Sequence, residues 1–152
     1  SQITILDEDK RAQIRGKDVG FVFQSFHLMP RLTALDNVML PLEISGDPYS
    51  MDKAQEALKQ VGLSKRAKHF ATQLSGGEKQ RVAIARSIVN KPKILFADEP
   101  TGNLDKKSSG SITDLLFSLN ALINTTLVLV THDLSLAEKC DEVYELDEGR
   151  LL

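Results

Sequence analysis

Apolar residues recur along this chain in two spacings, which predict strands separated by helices. Short runs rich in branched and aromatic residues lie at Val19–Phe23, Lys93–Ala97 and Thr126–Val130, and the first and last are predicted to be buried strands, Thr126–Val130 on both faces. Helical patterns lie between the three runs. The predicted fold class is therefore α/β with a mainly parallel sheet.

Helical spacing covers most of the remaining chain. Capping residues and apolar stripes predict helices at Asp7 to Arg15 (closed by Gly16), Ala34–Leu42, Ser50 to Val61 (capped by Ser50), Lys65–Phe70, Ser75 to about Asn90, Ser109–Leu122 and Ser135–Lys139. Val143–Leu146, with the turn that follows it, predicts a strand at the C-terminal edge. Residues 25–90 contain predicted helices only, which indicates an inserted helical block.

The segment Leu74–Arg81, with the sequence LSGGEKQR, is an unusual start for a helix. Ser75 and Glu78 have the spacing of a capping box, and apolar residues with helical spacing follow. Gly76 and Gly77 are costly in a first turn, but they leave the backbone N–H groups open to a ligand. Because a helix N-terminus attracts anions, phosphate is the expected ligand. A conventional helix cap is the alternative interpretation of Ser75, and the two roles are compatible.

Asp98 and Glu99 follow a predicted strand directly. Ligands of open parallel sheets bind beside the carboxyl ends of the strands. Two adjacent carboxylates repel each other there unless a cation offsets their charge, and Mg²⁺ with nucleotide phosphates is the natural partner. A solvated turn is the alternative for this pair considered in isolation.

Gln24 and His132 also follow predicted strands. A neutral amide can bind both a metal-bound water and an attacking water without adding charge. An imidazole at this place can donate to a phosphate oxygen or to the water. Each residue alone is equally compatible with an exposed loop.

Composition places the chain among globular proteins of one domain. It has 152 residues, of which 41% are hydrophobic and 26% charged, and a formal net charge of −2. This charge implies no strong attraction to nucleic acid or to an acidic membrane. The single cysteine, Cys140, excludes an internal disulfide.

Taken together, these motifs resemble those of the ABC-type ATPases, in the order that the family has them. The matching segments are Leu74–Arg81 (signature motif LSGGQ, with Glu78 in place of Gln), Ile94–Pro100 (Walker B), Gln24 (Q-loop), Thr101–Asp105 (D-loop) and His132 (H-loop). The resemblance covers nearly the whole chain. Val19–Gln24 and Leu28–Val38 resemble the lipoprotein-release and macrolide-export branch, in which the YbbA-like group has the nearest pattern.

The resemblance implies a RecA-like P-loop NTPase core at residues 1–24 and 91–152, with an inserted helical subdomain at about 25–90. It implies that Asp98 and Gln24 hold Mg²⁺, and that Glu99 orients and deprotonates the attacking water with His132 and Gln24. Ser75, Gly76 and Gly77 would bind the γ-phosphate of ATP held by a second subunit. Asp105 would lie at the dimer interface, with a plain helix cap as its alternative role.

The implied function is the ATP-binding and hydrolysing subunit of an ABC transporter, with ATP and Mg²⁺ as cofactors. The implied partners are a second ABC ATPase subunit, in a homodimer, and a membrane permease, without nucleic acid. Such subunits lie on the cytoplasmic face of the bacterial inner membrane. The alternative is an ABC-type ATPase of DNA repair or translation without a permease, but the basic surfaces or long coiled coils of that class are not visible in the sequence.

The family's Walker A loop, G-x-x-x-x-G-K-[ST], does not occur in the 152 residues. In the family this loop precedes the Q-loop. The chain is therefore expected to be a C-terminal fragment of an ABC ATPase domain, roughly two thirds of one, with the N-terminal P-loop part missing.

We expect the 152-residue chain by itself to bind ATP weakly and to hydrolyse it negligibly. The reason is that the Walker A lysine and its backbone amides supply most of the grip on the β- and γ-phosphates. Calorimetric titration with ATP and Mg²⁺ measures this affinity. A micromolar dissociation constant would contradict the prediction.

Overall fold

Three parallel strands form the central sheet of residues 6–151, the part of the chain that the computed structural model describes. The elements are, in chain order, α1 (Glu8–Asp18), β1 (Val19–Phe23), α2 (Ala34–Ile44), α3 (Ser50–Gln60), α4 (Gly76–Ile88), β2 (Ile94–Asp98), α5 (Lys106–Ile123), β3 (Thr126–Val130), α6 (Leu134–Ala137), β4 (Leu146–Asp147) and β5 (Arg150–Leu151). The predicted α/β fold with a mainly parallel sheet is confirmed.

The strands pair in the order β1-β2-β3 with no offset at their carboxyl ends. Phe23 pairs with Asp98, and Asp98 pairs with Val130. The carboxyl ends of all three strands therefore meet at one edge of the sheet, and the residues that follow them start from neighbouring positions.

One face of the sheet packs against helices, and α4 comes closest to it. A Cβ atom at Gly20 of β1 would lie 2.4 Å from the carbonyl oxygen of Ser87 in α4, so only glycine permits this approach. Val22, Leu95 and Ala97 are buried on this face. They belong to one hydrophobic core together with apolar residues of α2, α3, α4 and α5.

The other face of the sheet, named the open face here, is not covered within residues 6–151. It carries Phe21, Phe23, Phe96, Val128 and Val130. The ring of Phe21 stacks on those of Phe23 and Phe96, with centroid separations of 5.7 and 5.4 Å. Val128 and Val130 are 38% and 55% exposed. The prediction that β3 is buried on both faces is wrong for this reason.

Helices α2, α3 and α4 pack against one another and are called the helical block here. Thr33 and Asp36 form a capping box at the start of α2. Asn37, which is completely buried, donates to the carbonyl oxygens of Met29 and Thr33 and accepts from the Met29 N–H. This amide fixes the entry into the block.

No α-helix forms at Lys65–Phe70, contrary to the prediction. A short 3₁₀ turn overlaps the start of this segment at Ser64–Arg66, and a second one follows it at Ala71–Gln73. Its carbonyl groups are used elsewhere, because the N–H groups of Ala34 and Leu35 donate to His69 and Ala67. These are first-turn N–H groups of α2, which have no partner within their own helix.

Several predicted ends of elements also differ. Helix α1 continues through Gly16 to Asp18, because it leads directly into β1. Ser50 is the first residue of α3 and does not cap it; Tyr49 holds the cap position without a side-chain bond. Of the last predicted strand, Val143–Leu146, only Leu146 lies in a strand, the two-residue strand β4, which pairs with β5.

The remaining helices keep their predicted places with shifted bounds. Helix α5 starts at Lys106 instead of Ser109, because Asp105 caps it. Helix α4 ends at Ile88, and α6 has four residues. In the part of the chain that the structure describes, no helix combines the length and the apolar character needed to cross a bilayer.

Candidate active site

The candidate residues Gln24, Asp98, Glu99 and His132 all lie at the carboxyl edge of the sheet. Gln24 follows β1, Asp98 ends β2 with Glu99 next to it, and His132 is two residues beyond β3. The strand register places Phe23, Asp98 and Val130 side by side. The sheet therefore brings together four residues that span more than a hundred positions of the sequence.

Glu99 is held by the segment that follows β3. Its backbone is left-handed, with φ of 44°, and its N–H donates to the carbonyl oxygen of Val130 at 2.9 Å. Its Oε1 atom accepts from the backbone N–H of His132 at 2.9 Å and lies 2.6 Å from the Nδ1 atom of the same residue. Because an ionised carboxylate can only accept, Nδ1 of His132 carries the proton in this pair.

The second oxygen of Glu99 is less engaged. Oε2 lies 3.5 Å from the Thr131 hydroxyl, at the limit of a hydrogen bond. The Glu99 side chain is 22% exposed, whereas that of His132 is 84% exposed. Oε2 therefore keeps the capacity to accept a proton from a water at the edge of the sheet.

Gln24 is locked to the segment that follows β2. Its Nε2 atom donates to Asn103 Oδ1 at 3.2 Å, and Asn103 Nδ2 donates back to the Gln24 carbonyl oxygen at 3.0 Å. A Cβ atom at Gly102 would lie 2.7 Å from Gln24 Nε2, so a larger residue at this position would displace the Gln24 side chain. The amide nitrogen of Gln24 is thus engaged, which leaves its Oε1 atom as a ligand atom.

The oxygen atoms at this edge fit a magnesium ion bound together with phosphate. Mg²⁺ is usually held through one or two protein carboxylates, with phosphates and waters completing the octahedron. Asp98 supplies an exposed carboxylate and Gln24 an amide oxygen. Within residues 6–151, no group of three or more His, Cys, Asp or Glu residues forms a metal cage.

The signature segment has the predicted capping box. Ser75 Oγ accepts from the Glu78 N–H at 3.3 Å, and the Ser75 N–H donates to Glu78 Oε2 at 2.9 Å. Arg66 Nε donates to the other oxygen of Glu78 at 2.9 Å. The Ser75 N–H, followed by the smaller contribution of Arg66, lowers the pKa of Glu78 below its ordinary value of 4.5.

The start of α4 lies against the start of α5. Cβ atoms at Gly76 and Gly77 would lie 3.4 Å from side-chain atoms of Leu104 and Ser108. Asp105 caps α5 by accepting from the N–H and hydroxyl of Ser108, at 3.0 and 2.7 Å. Within residues 6–151, no hydrogen bond joins Ser75 to Gln24, Asp98, Glu99 or His132. The signature segment is thus a separate group of residues.

Three residues that support the candidate site through hydrogen bonds were not predicted from the sequence. Gln80 is completely buried and donates to the Pro100 carbonyl oxygen at 2.6 Å. Arg86 donates to the carbonyl oxygens of Phe26 and His27 at 3.0 and 2.7 Å, and both of these residues have positive φ. Asn103 bonds to Gln24 as described above.

For one of these residues a signal was present in the sequence. Gln80 precedes Ile84 by four residues and Ile88 by eight, which puts it on the buried stripe of α4. A polar residue on such a stripe needs a partner in the core. No comparable pattern marks Arg86 or Asn103, because their partners are main-chain and loop groups distant in sequence.

Comparison with known proteins defines the class of this chain. The family described as "ABC transporter" matches residues 1–102, well over half of the sequence, so the chain belongs to this family. It is similar to the "Uncharacterized ABC transporter ATP-binding protein YbbA" of Escherichia coli K12, with 54% identity over 96% of this chain and 65% of the relative. It is also similar to the "Lipoprotein-releasing system ATP-binding protein LolD" of Xanthomonas campestris, with 47% identity over 99% of this chain and 64% of the relative. The chain thus spans somewhat less than two thirds of the length of both.

Solved structures of the same family have the same fold. A dimeric post-hydrolysis state of the ATP-binding cassette MJ0796, bound to ADP and Pi, superimposes with a TM-score of 0.83 and 42% identity over 97% of this chain and 66% of the other. A second dimeric structure of MJ0796, described as a bacterial ABC transporter cassette, gives a TM-score of 0.75 with 46% identity over 88% of this chain and 60% of the other. The predicted family, its branch and the RecA-like fold class are confirmed.

The lowered pKa of Glu78 predicts a pH dependence of stability. A carboxylate whose pKa is lower in the folded state stabilises that state above its unfolded pKa, and the contribution disappears as pH falls through the folded pKa. We expect the variant Glu78→Gln to lose unfolding free energy relative to wild type at neutral pH, and the gap to shrink below about pH 4.5. Urea unfolding of both proteins across this range measures the gap. A gap that stays constant with pH would contradict the assignment.

Proposed function

We propose that this protein is the ATP-hydrolysing subunit of an ABC transporter. The observation that carries the proposal is the Glu99–His132 pair, which lies at the same sheet edge as Asp98 and Gln24. At this edge, the Glu99 carboxylate can accept a proton, the Asp98 carboxylate can bind a metal ion and the Gln24 amide can bind water. Membership of the ABC transporter family supports this interpretation.

In the proposed reaction, Glu99 accepts a proton from the water that attacks the γ-phosphate. Oε2 is the atom that takes this proton, since Oε1 is already bonded to His132. Nδ1 of His132 donates to Glu99, so a donation from Nε2 to a phosphate oxygen requires the imidazolium form. Glu99 and His132 thus act as a unit, in which His132 orients the base and contacts the phosphate.

Asp98 and the Oε1 atom of Gln24 are proposed to hold Mg²⁺. When bound, the ion neutralises charge on the β- and γ-phosphate oxygens. The bonds between Gln24 and Asn103 orient the amide for this task. Catalysis by this arrangement consists of positioning and electrostatic stabilisation, as is general for phosphoryl transfer.

A second copy of the protein is proposed to complete the site. Ser75, Gly76 and Gly77 would donate to the γ-phosphate of ATP held by that copy, with Asp105 at the interface between them. Within residues 6–151, Ser75 has no hydrogen bond to the residues at the sheet edge, which is compatible with this division of roles. Both MJ0796 structures are described as dimeric, which supports it.

The chain is proposed to comprise a helical subdomain at about residues 25–90 and a RecA-like core at residues 1–24 and 91–152. All three strands of the central sheet lie outside the proposed subdomain. The mutual packing of α2, α3 and α4 within it supports the division.

A membrane permease is the proposed partner of the ATPase dimer, at the cytoplasmic face of a bacterial inner membrane, without nucleic acid. The names of the two similar proteins support this: YbbA is an ABC transporter ATP-binding protein, and LolD belongs to a lipoprotein-releasing system. The permease, or a periplasmic partner, would select the transported substrate.

The variant Glu99→Gln tests the proposed chemistry in the full-length gene product. Loss of the base should lower kcat for ATP hydrolysis by roughly 100-fold or more, while ATP binding is retained. Steady-state phosphate release and nucleotide titration measure the two quantities. The matched control is Glu138→Gln, the same chemical change at the exposed residue that follows α6, which should leave kcat unchanged. Equal effects of the two changes would contradict the role of Glu99.

The proposed partner is tested by purification from membranes. We expect the tagged full-length protein, extracted in mild detergent, to retain an integral membrane protein in stoichiometric amount. Mass spectrometry of the purified complex identifies the partner. Recovery of DNA-repair or translation factors instead would contradict the transporter assignment.

A further inference from the structure

The side chain of Gln80 links the signature helix to two strand ends of the candidate active site. Gln80 lies in the second turn of α4 and is completely buried. Its Nε2 atom donates to the carbonyl oxygen of Pro100 at 2.6 Å and lies 3.4 Å from that of Phe23. Pro100 directly follows Glu99, and Phe23 directly precedes Gln24.

The other atom of this amide has no partner within residues 6–151. Gln80 Oε1 is buried without a hydrogen bond. An unpaired acceptor in the core reduces stability, so the amide stabilises this region only through the bonds that its Nε2 atom donates. The contribution of Gln80 to packing therefore does not explain an amide at this position.

The bonds of Gln80 determine where two loops start. Glu99 has a left-handed backbone, and the carbonyl group of the next residue, Pro100, is held by the bond from Gln80, which restricts the movement of the segment that carries Glu99. The NH₂ group of Gln80 contacts two carbonyl oxygens at this edge, that of Phe23 at the end of β1 and that of Pro100 after β2. Helix α4 therefore cannot shift without breaking the bond to Pro100 or moving the segment that carries Glu99.

Arg86 gives α4 a second attachment to the same edge. It donates to the carbonyl oxygens of Phe26 and His27, whose φ angles are 59° and 50°. Arg86 thus bonds α4 to the segment that follows Gln24, and Gln80 contacts Phe23, the residue that precedes Gln24. These contacts attach α4, which is capped by Ser75, to the loop after β1 and to the loop after β2.

We propose that Gln80 is a positioning residue for ATP hydrolysis. Its buried amide fixes the position of the Glu99 segment, and of the adjacent end of β1, relative to α4. This inference rests on the proposed function. Gln80 acts through Glu99 and does not touch the nucleotide itself.

The variant Gln80→Met in the full-length gene product tests the inference. Methionine keeps the length and volume of the side chain but removes the donor. We expect kcat for ATP hydrolysis to fall about tenfold or more, since small displacements of a catalytic group have large effects. KM for ATP should stay within about twofold, because the groups that bind ATP are unchanged. The melting temperature should fall modestly, by about as much as in the control described next, because the Pro100 carbonyl loses its donor.

Thr125→Val is the matched control. Thr125 is also buried, and its hydroxyl donates to a proline carbonyl, that of Pro92, at 2.8 Å. This bond lies at the opposite end of the sheet, next to the start of β3. The control should lower the melting temperature and leave kcat unchanged, because it removes a bond of the same kind away from the active site.

The outcomes separate the inference from the function on which it rests. If wild type hydrolyses ATP and Glu99→Gln does not, the proposed function stands, and a wild-type kcat in Gln80→Met overturns the role of Gln80 alone. A Gln80→Met protein that loses ATP binding together with kcat, or fails to fold, shows a structural role and also overturns the inference. If wild type lacks ATPase activity, the proposed function itself fails.

Discussion

The parallel pairing of β1, β2 and β3 is the interaction on which the rest of the site depends. Backbone hydrogen bonds hold Phe23, Asp98 and Val130 side by side, so that the loops after them start from one edge. A shift of one residue in this register would turn every side chain of the shifted strand to the opposite face. It would also separate Glu99 from His132. The register is determined by the inner face, where Val22, Leu95 and Ala97 pack against the helices.

Helix α4 is the second support of the site. Val82, Ile84 and Ala85 are completely buried, and Gly20 allows the helix to approach β1 closely. With its apolar residues in the core, the helix presents polar side chains to main-chain carbonyls at the sheet edge. Its first turn carries the signature segment. One rigid element thus contacts the hydrolysis site and carries the segment proposed to serve a second copy of the protein.

The chemistry of the edge is arranged by hydrogen bonds between loops. Glu99 is bonded through one oxygen to His132, and Gln24 is bonded through its nitrogen to Asn103. In both pairs one polar atom is used for orientation, and the other remains available for water or a metal. Glu78 differs from these pairs, because Ser75 and Arg66 each engage one oxygen of its carboxylate and no carboxylate oxygen remains without a partner.

The sequence by itself determined the strand positions, the α/β class and the residue types at the carboxyl edge, because periodicity and strand-end chemistry are local properties. It did not reveal that β3 has one exposed face, that Lys65–Phe70 gives its carbonyls to α2, or that Gln80, Arg86 and Asn103 support the site. Those features were decided by tertiary structure. The partners in these hydrogen bonds lie 20, 60 and 79 residues apart in the sequence, and only the pairing of the strands and the packing of α4 on the sheet bring them within hydrogen-bond distance.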